Sequence, residues 1–275
     1  LKDGRYPPVN IHPAVLKPLE YEMPVASAQV KSAILFAGLF TDGETIVRET
    51  HQSRNHSEIM MGQFGADISV SGTTVKLQGG KKLSASDVTV PGDISSAAFL
   101  IVLALITKDA DITIENVSLN ETRSGIIDVV KACGGKLTIT ERDSKGEKFG
   151  DIRVQYTPDL KPFHISGDII PRLIDEIPIL TVLAVFADGE STVRGAEELR
   201  FKETDRITAV IAELTKFGVS FEEYEDGFKV KPGYKKVKQD ELFKGYHDHR
   251  IIMMLIVMAA AANTNIEIDD QSAID

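Results

Sequence analysis

The sequence predicts an α/β (α+β) fold of repeated helix-strand-helix-strand-strand units, with helices inside and sheets outside. An apolar helical pattern followed by an alternating strand pattern recurs along the 275 residues. The copies are about 65–80 residues long, which exceeds the length of solenoid repeats and suits a small α/β unit. Several of the helices are apolar over wide faces. They should therefore pack on one another, while the sheets face solvent.

The first copy follows a proline-rich segment, residues 1–24, that predicts loop and a short strand. A helix over 25–40, a strand over 44–48 and a helix over 57–64 come next. Two further strands form a hairpin around Gly72. This order makes one complete unit.

Three later copies repeat the order. In each, an apolar helix leads to a short strand. In the two complete copies the second helix ends at glycine, and the last copy stops after its strand. The predicted leading helices and their strands are 93–107 with 111–115, 172–186 with 191–194, and the helix that starts at His247 with 266–268. The predicted second helices are 122–132 and 205–217, each followed by a strand pair. A polar stretch with Lys81 and Lys82 predicts a boundary between domains 1–87 and 88–275.

Composition limits the functional class. The net charge of −10 argues against a nucleic-acid or anionic-membrane partner. The two longest apolar runs, 97–106 and 251–262, are shorter than the ~20 residues of a membrane span. The single cysteine, Cys133, lies on an apolar helical face, so we expect a buried core thiol and a cytoplasmic protein.

The segment 200–206 (RFKETDR) concentrates charge directly before an apolar helix. Thr204 or Asp205 can cap that helix, whose start favours a bound anion. Lys202 and Arg206 would add positive charge, and Glu203 between them could transfer protons. A well-capped, solvated helix start is the alternative interpretation.

Other helix starts carry similar polar groups. Segment 27–32 (SAQVKS) offers Ser27 as a cap, with Gln29 and Lys31 able to reach a ligand. Segment 53–56 (SRNH) occupies the loop that carries Lys202–Arg206 in the third copy. Asp93 is predicted to be only a cap.

Two further helix starts carry acidic or histidine side chains. Asp175, before Pro178, is either a capping acid or a base aimed at a ligand. His247 and His249 suggest a metal, but side chains two residues apart on a helix diverge by ~200°. We therefore predict no metal and expect His249 and Arg250 to face an anion.

These motifs, in this order and spacing, resemble the 5-enolpyruvylshikimate-3-phosphate synthase family. The segments are 27–32, 53–56, 202–206 and Asp248-His249-Arg250, and segment 27–32 looks like the bacterial variety with reduced glyphosate sensitivity. The resemblance implies a two-domain enolpyruvyl transferase fold, an inverse α/β barrel. It also implies a monomer without cofactors. The implied reaction moves the enolpyruvyl group of phosphoenolpyruvate to the 5-hydroxyl of shikimate 3-phosphate.

The resemblance also implies residue roles. The residues implied to hold shikimate 3-phosphate are Ser27, Ala28, Gln29, Arg54, Asp175 and Lys202. Those implied to hold phosphoenolpyruvate are Gln29, Arg206 and Arg250. Asp175 would take the hydroxyl proton, Glu203 would handle the methylene proton, and His249 would support that cluster.

Some parts of the family pattern have no counterpart in these residues. They are the amino-terminal Lys-Ser…Arg segment, the Asn-x-Gly-Thr phosphate loop and the last carboxy-terminal segment. We therefore expect a fragment that is inactive alone. Two alternatives remain open. One is the related transferase that acts on UDP-N-acetylglucosamine, and the other is a non-catalytic protein that binds phosphorylated metabolites.

Overall fold

A computed structural model describes residues 8–238, 241–270 and 272. Internal contacts divide the chain into two compact units, Leu1–Val88 and Thr89–Asp275. The predicted boundary, between residues 87 and 88, lies one residue before this division. Among the described residues, no helix is long and apolar enough to cross a membrane.

The first unit contains one repeat. Its elements are strand β1 (Glu20–Glu22), helix α1 (Ala28–Gly38), strand β2 (Glu44–Arg48), helix α2 (His56–Gln63) and strands β3 (Asp67–Ser71) and β4 (Thr74–Gln78). The strands form one sheet in the order β1-β2-β4-β3, with β1 parallel to β2. β3 and β4 pair as the predicted hairpin, where Gly72 adopts a positive φ of 57°. The predicted elements are confirmed, with helix ends shifted by one to three residues.

The second unit holds the other repeats. The first of them contains α3 (Ile94–Ile106), β5 (Asp111–Ser118), α4 (Gly125–Ala132), β6 (Lys136–Arg142) and β7 (Phe149–Gln155). The next contains β8 (His164–Ile165), α5 (Ile170–Leu173), α6 (Ile177–Val185), β9 (Ser191–Val193), α7 (Arg206–Lys216), β10 (Ser220–Tyr224) and β11 (Gly227–Lys231). The last contains β12 (Leu242–Phe243), α8 (His249–Ala261) and β13 (Glu267–Ile268).

A leading parallel strand precedes three of the repeats. β8 lies parallel to β9 in the sheet β10-β11-β9-β8, as β1 does to β2 in the first unit, and β12 lies parallel to β13. In the remaining repeat, a parallel bridge between Gly92 and Val117 takes this position. The sequence analysis missed β8 and β12, because a two-residue strand is too short to show alternation.

Helices α3, α6 and α8 form the interior of the second unit and pack on one another. All nine residues of α6 are buried, whereas strands such as β5 and β6 expose alternate positions. A helix that is apolar on every side is stable only when surrounded by protein. Helices therefore lie inside and sheets outside, as predicted. Cys133 is buried as expected, and burial raises the pKa of its thiol to about 11.

The predicted helix over 172–186 is interrupted, which corrects the sequence analysis. A 3₁₀ turn, Ile174–Glu176, separates α5 from α6. Pro178 stands in the first turn of α6. It has no N–H for the carbonyl of Ile174, so a continuous α-helix would lose a hydrogen bond and gain a ring clash there. The turn places Asp175 and Glu176 at the N-terminal end of this inner helix.

Candidate active site

The N-terminal ends of the three inner helices carry the charged groups. Asp93 caps α3 by accepting a hydrogen bond from Ser95 N at 3.1 Å, as predicted. Asp248 caps α8 by accepting one from Arg250 N at 2.9 Å. Because these helix starts leave N–H groups outside the helical ladder, they favour negative charge nearby.

Arg206, the first residue of α7, joins two of these ends. Its Nε and Nη2 donate to Asp248 Oδ2 and Oδ1 at 2.8 and 3.3 Å. Its Nη1 lies 3.3 Å from Asp175 Oδ1, and its Nη2 lies 2.6 Å from Glu203 Oε2. The side chains of Arg206 and Asp248 are 1% and 0% exposed. A bidentate pair offsets the cost of burying both charges, so this pair fixes α7 against α8.

Asp175 faces three cations. Besides Arg206, its carboxylate lies 3.7 Å from Arg123 Nη1 and 3.9 Å from Lys202 Nζ. Its side chain is 14% exposed. The expectation that it could be a capping acid is wrong, because the residue lies in the 3₁₀ turn and Glu176 occupies the N-cap position of α6. Nearby cations favour the ionised form of a carboxylate, which is the form that can accept a proton.

Arg250 and Lys202 complete the positive charge around Asp175. Arg250 Nη1 donates to the backbone oxygen of Asp175 at 3.2 Å, and its side chain is 12% exposed. Lys202 Nζ lies 2.5 Å from Glu198 Oε1 and remains partly exposed. Both arginines predicted to face one anion therefore lie against Asp175, but only Arg250 has some of its side chain open to solvent.

Glu203 lies at the rim of this cluster, and His249 stands between Asp248 and Arg250 in the sequence. Glu203 is about half exposed and is held by Arg206, three residues later. Asp205 caps α7 by accepting a hydrogen bond from Thr208 N at 3.1 Å, which confirms one of the two predicted caps. His249 is the first residue of α8 and is half-buried.

Glu176 follows Asp175 and is 1% exposed. Burial raises the pKa of its carboxyl group, against the opposing effects of Ser95, Arg123 and Arg250. Its Oε1 has no hydrogen-bond partner. A buried glutamate of this kind binds its proton more tightly than a solvated one.

The remaining predicted residues lie in the first unit. Ser27 caps α1 by accepting a hydrogen bond from Val30 N at 3.4 Å, as predicted. Ala28 is half-buried and Gln29 is exposed in the same turn. Arg54 is half-buried in the loop before α2. Their proposed contacts with a ligand stay predictions.

Lys31 does not reach in front of α1, which corrects the sequence analysis. It is 1% exposed and pairs with Glu49 Oε2 at 2.8 Å and Glu58 Oε1 at 2.7 Å. The side chain of residue 31 lies on the inner face of α1, four positions from the buried Leu35. Lys31 therefore connects α1 to α2 and to the end of β2.

The roles of Arg123 and Glu176 and the buried pairing of Asp248 were not predicted from the sequence. Arg123 precedes α4, as Arg206 begins α7, and it links Asp93 and Ser95 of the α3 start to Asp175. The repeat register contains a signal for Arg123, because Arg54 and Arg206 occupy comparable places in their copies. The sequence marks Glu176 only as the neighbour of Asp175, and Asp248 only as a residue close to Arg250. Across the described part of the chain, no group of three or more His, Cys, Asp or Glu side chains is arranged to hold a metal.

The sequence model of the family described as EPSP synthase (3-phosphoshikimate 1-carboxyvinyltransferase) matches residues 1–275. The chain belongs to the EPSP synthase family.

Curated relatives of this EPSP synthase family member are named 3-phosphoshikimate 1-carboxyvinyltransferase. The protein of Bacillus pumilus (strain SAFR-032) is 46% identical over 273 residues, which are 99% of this chain and 63% of that protein. The protein of Geobacillus thermodenitrificans (strain NG80-2) is 47% identical over 274 residues, with the same two coverages. The chain therefore spans 63% of the length of these relatives.

Solved structures show the fold. EPSP synthase from Acinetobacter baumannii superposes with a TM-score of 0.84 at 41% identity, over 92% of this chain and 58% of that chain. The enolpyruvyl transferase NikO from Streptomyces tendae has a TM-score of 0.70 at 17% identity, over 87% and 54%. The second likeness concerns the fold alone. The predicted enolpyruvyl transferase fold is thus confirmed.

Proposed function

We propose that the protein transfers the enolpyruvyl group of phosphoenolpyruvate to the 5-hydroxyl of shikimate 3-phosphate and releases phosphate. The names of its relatives support this reaction. The observation that carries the proposal is the position of Asp175, a carboxylate among Arg123, Lys202 and Arg206. Both substrates are anions and need cationic partners, while the reaction needs groups that move protons.

Asp175 is the proposed base for the 5-hydroxyl. As that proton moves to Asp175, the substrate oxygen forms a bond to C2 of phosphoenolpyruvate. Three cations within 4.0 Å hold the carboxylate in one orientation. An oriented general base typically contributes 10²–10⁴-fold to the rate.

Glu203 is the proposed group for the methylene proton. The methylene carbon gains a proton when C2 is attacked and loses one when phosphate leaves, so one carboxyl group can serve both steps. Glu203 is exposed enough to reach a substrate, and its ion pair with Arg206 fixes its direction. His249, at the start of α8, is proposed to support this transfer.

Arg250 is the proposed main contact of phosphoenolpyruvate. Its Nη1 donates to the Asp175 backbone, and the remaining N–H groups of a planar guanidinium can hold a carboxylate or phosphate in a bidentate pair. Arg206 and Gln29 are proposed to assist. Because Arg206 already contacts three carboxylates, we expect its main contribution to be the placement of Asp175 and Glu203.

The proposed contacts of shikimate 3-phosphate are Ser27, Ala28, Gln29, Arg54, Asp175 and Lys202. The contacts at Ser27, Ala28 and Gln29 are supported by the capped, partly exposed start of α1. Such a start suits a phosphate or hydroxyl ligand.

The test is phosphate release by the intact protein that carries this chain. Release is expected with phosphoenolpyruvate and shikimate 3-phosphate together, and not with either alone. Release that instead requires UDP-N-acetylglucosamine would identify the related transferase. Binding of both phosphorylated ligands without any release would support a non-catalytic binding protein.

We further propose that the protein acts as a monomer in the cytoplasm. Sedimentation of the intact protein at micromolar concentration, with and without both substrates, tests the first point. Fractionation of cells that produce it tests the second. A concentration-dependent dimer would contradict the monomer.

A further inference from the structure

Glu176 is a buried acid that the proposed reaction does not use. It follows the proposed base, Asp175, in the turn before α6, and its side chain is 1% exposed. The groups that face it come from three directions: Ser95 on α3, Arg123 before α4 and Arg250 on α8. Its neighbour Asp175 adds a negative charge.

The carboxyl group of Glu176 lacks a close ionic partner. Arg250 Nη1 lies 4.0 Å from Glu176 Oε1, which is longer than a hydrogen bond. Oε1 has no hydrogen-bond partner at all. An ionised carboxylate in such a place would lose its hydration, and Ser95, Arg123 and Arg250 offset only part of that loss, so burial favours the neutral acid. The upward pKa shift caused by burial agrees with this geometry.

A neutral Glu176 has a specific consequence for Arg250. The guanidinium donates a hydrogen bond to the Asp175 backbone oxygen at 3.2 Å and lies next to the Glu176 carboxyl group. An ionised Glu176 would neutralise Arg250 and compete with an anionic ligand. A protonated one supports the guanidinium sterically and leaves its charge available.

We propose that Glu176 is a positioning residue for Arg250, whose buried neutral carboxyl group seats the guanidinium while leaving its positive charge for the anionic substrate. This inference rests on the proposed function, because it concerns the binding of phosphoenolpyruvate. Glu176 touches neither substrate and transfers no proton in the reaction.

The test compares Glu176→Gln with Glu176→Ala in the intact protein. Glutamine keeps the shape of the protonated acid, so KM for phosphoenolpyruvate and kcat should stay within about threefold of wild type. Alanine removes the support, so KM for phosphoenolpyruvate should rise about ten- to a hundredfold through misplacement of Arg250. The affinity for shikimate 3-phosphate, measured by calorimetry, should change less than about threefold in both.

The pH profile supplies a second readout. As the pH rises through the raised pKa of Glu176, KM for phosphoenolpyruvate should rise more in wild type than in Glu176→Gln, because only wild type can ionise at this position. Groups common to both proteins, including Asp175, Arg123 and Arg250, cancel in the ratio. A KM for phosphoenolpyruvate that already differs more than about threefold between the two proteins at neutral pH would overturn a neutral Glu176.

A matched control is Glu213→Gln. Glu213 is equally buried on α7, but its carboxylate is satisfied by Lys216 Nζ at 2.7 Å, Lys244 N at 3.0 Å and Tyr246 Oη at 3.1 Å. Its neutralisation should lower the thermal midpoint and leave KM for phosphoenolpyruvate unchanged. If Glu176→Ala behaves like this control, its role is structural and the proposal is wrong.

A double variant shows whether Glu176 acts through Arg250. In an Arg250→Lys background, Glu176→Ala should raise the Kd for phosphoenolpyruvate by less than about threefold, because its target is already altered. If Glu176→Ala raises this Kd as much in the Arg250→Lys background as in wild type, the proposal is overturned. The proposal is also overturned if Glu176→Gln raises KM for phosphoenolpyruvate as much as Glu176→Ala does. Failure of wild type to release phosphate would instead contradict the proposed function. Binding of phosphoenolpyruvate to wild type and the variants would still decide the role of Glu176.

Discussion

Each unit buries a basic residue among carboxylates, and the two clusters differ in how completely they are closed. Lys31 in the first unit has side-chain partners, Glu49 and Glu58, that are less than 5% exposed. Arg206 in the second unit is equally buried, but its partners Asp175 and Glu203 are 14% and 51% exposed. The first cluster holds helices together, whereas we propose that the second also presents charge to a ligand.

The charge count points the same way. One ammonium group serves two carboxylates in the first unit, and Glu58 Oε2 is left buried without a hydrogen-bond partner. In the second unit, Arg123, Lys202, Arg206 and Arg250 all lie within 4.0 Å of Asp175. Several cations around one partly exposed carboxylate suit the binding of an anion, whereas the closed cluster has a single cation between two carboxylates.

The largest expected effect is loss of chemistry in the open cluster. In the intact protein, Asp175→Asn and Glu203→Gln should each lower kcat for phosphate release about 10²–10⁴-fold, because each removes a proton-transfer group. Binding of shikimate 3-phosphate should survive in at least one of them. Asp188→Asn, an exposed change beyond the other end of α6, is the control and should keep normal kcat. Near-normal turnover of either variant would remove that residue from the mechanism.

The next largest effect is a loss of protein stability when the closed cluster around Lys31 is disrupted. Lys31→Met should lower the free energy of unfolding by about 3–5 kcal/mol, because it leaves two buried carboxylates without their cation. Urea unfolding measures this loss. Adding Glu58→Gln should restore part of it.

The control for this change is Lys76→Met. Lys76 is half exposed and lies 3.9 Å from Glu44, so its removal should cost at most about 1 kcal/mol. Equal losses for the two lysines would show that burial does not distinguish the first cluster.

A smaller effect on the affinity for phosphoenolpyruvate is expected when the guanidinium of Arg250 is replaced by an ammonium group. Arg250→Lys keeps the charge but loses the bidentate guanidinium, so the Kd for phosphoenolpyruvate should rise about tenfold. The Kd for shikimate 3-phosphate should change less. Arg194→Lys is the matched control away from the cluster. The Arg194 guanidinium pairs with Asp226 and stacks on Tyr224. Equal weakening of both ligands in Arg250→Lys would contradict its assignment.

The smallest effect is the pH dependence of stability at Glu176. Burial raises its pKa, so the folded state binds this proton more tightly than the unfolded state. The stabilisation is complete below the unfolded pKa of about 4.3 and is lost as the pH rises through the higher folded pKa. Relative to Glu176→Gln, wild type should therefore lose unfolding free energy over that range. Parallel urea midpoints of the two proteins across pH 4–8 would contradict it.

The sequence by itself determined the repeat order and the local ends of the elements. Ser27, Asp93 and Asp205 were predicted as caps because a cap and its N–H partners lie within one turn of chain. The apolar patterns of α3 and α8 were equally local. The motifs 202–206 and 248–250 could be placed at helix starts for the same reason.

Only the tertiary structure decided which partners the charges meet. Arg206 pairs with Asp248, 42 positions away, and Lys31 lies between Glu49 and Glu58 where the sequence pattern predicted a ligand. The two-residue strands β8 and β12 exist through pairing with β9 and β13. Glu176 is buried because three helices converge around it. A short-range pattern specifies a helix and its cap, but the burial and partner of an ionisable group depend on every element packed around it.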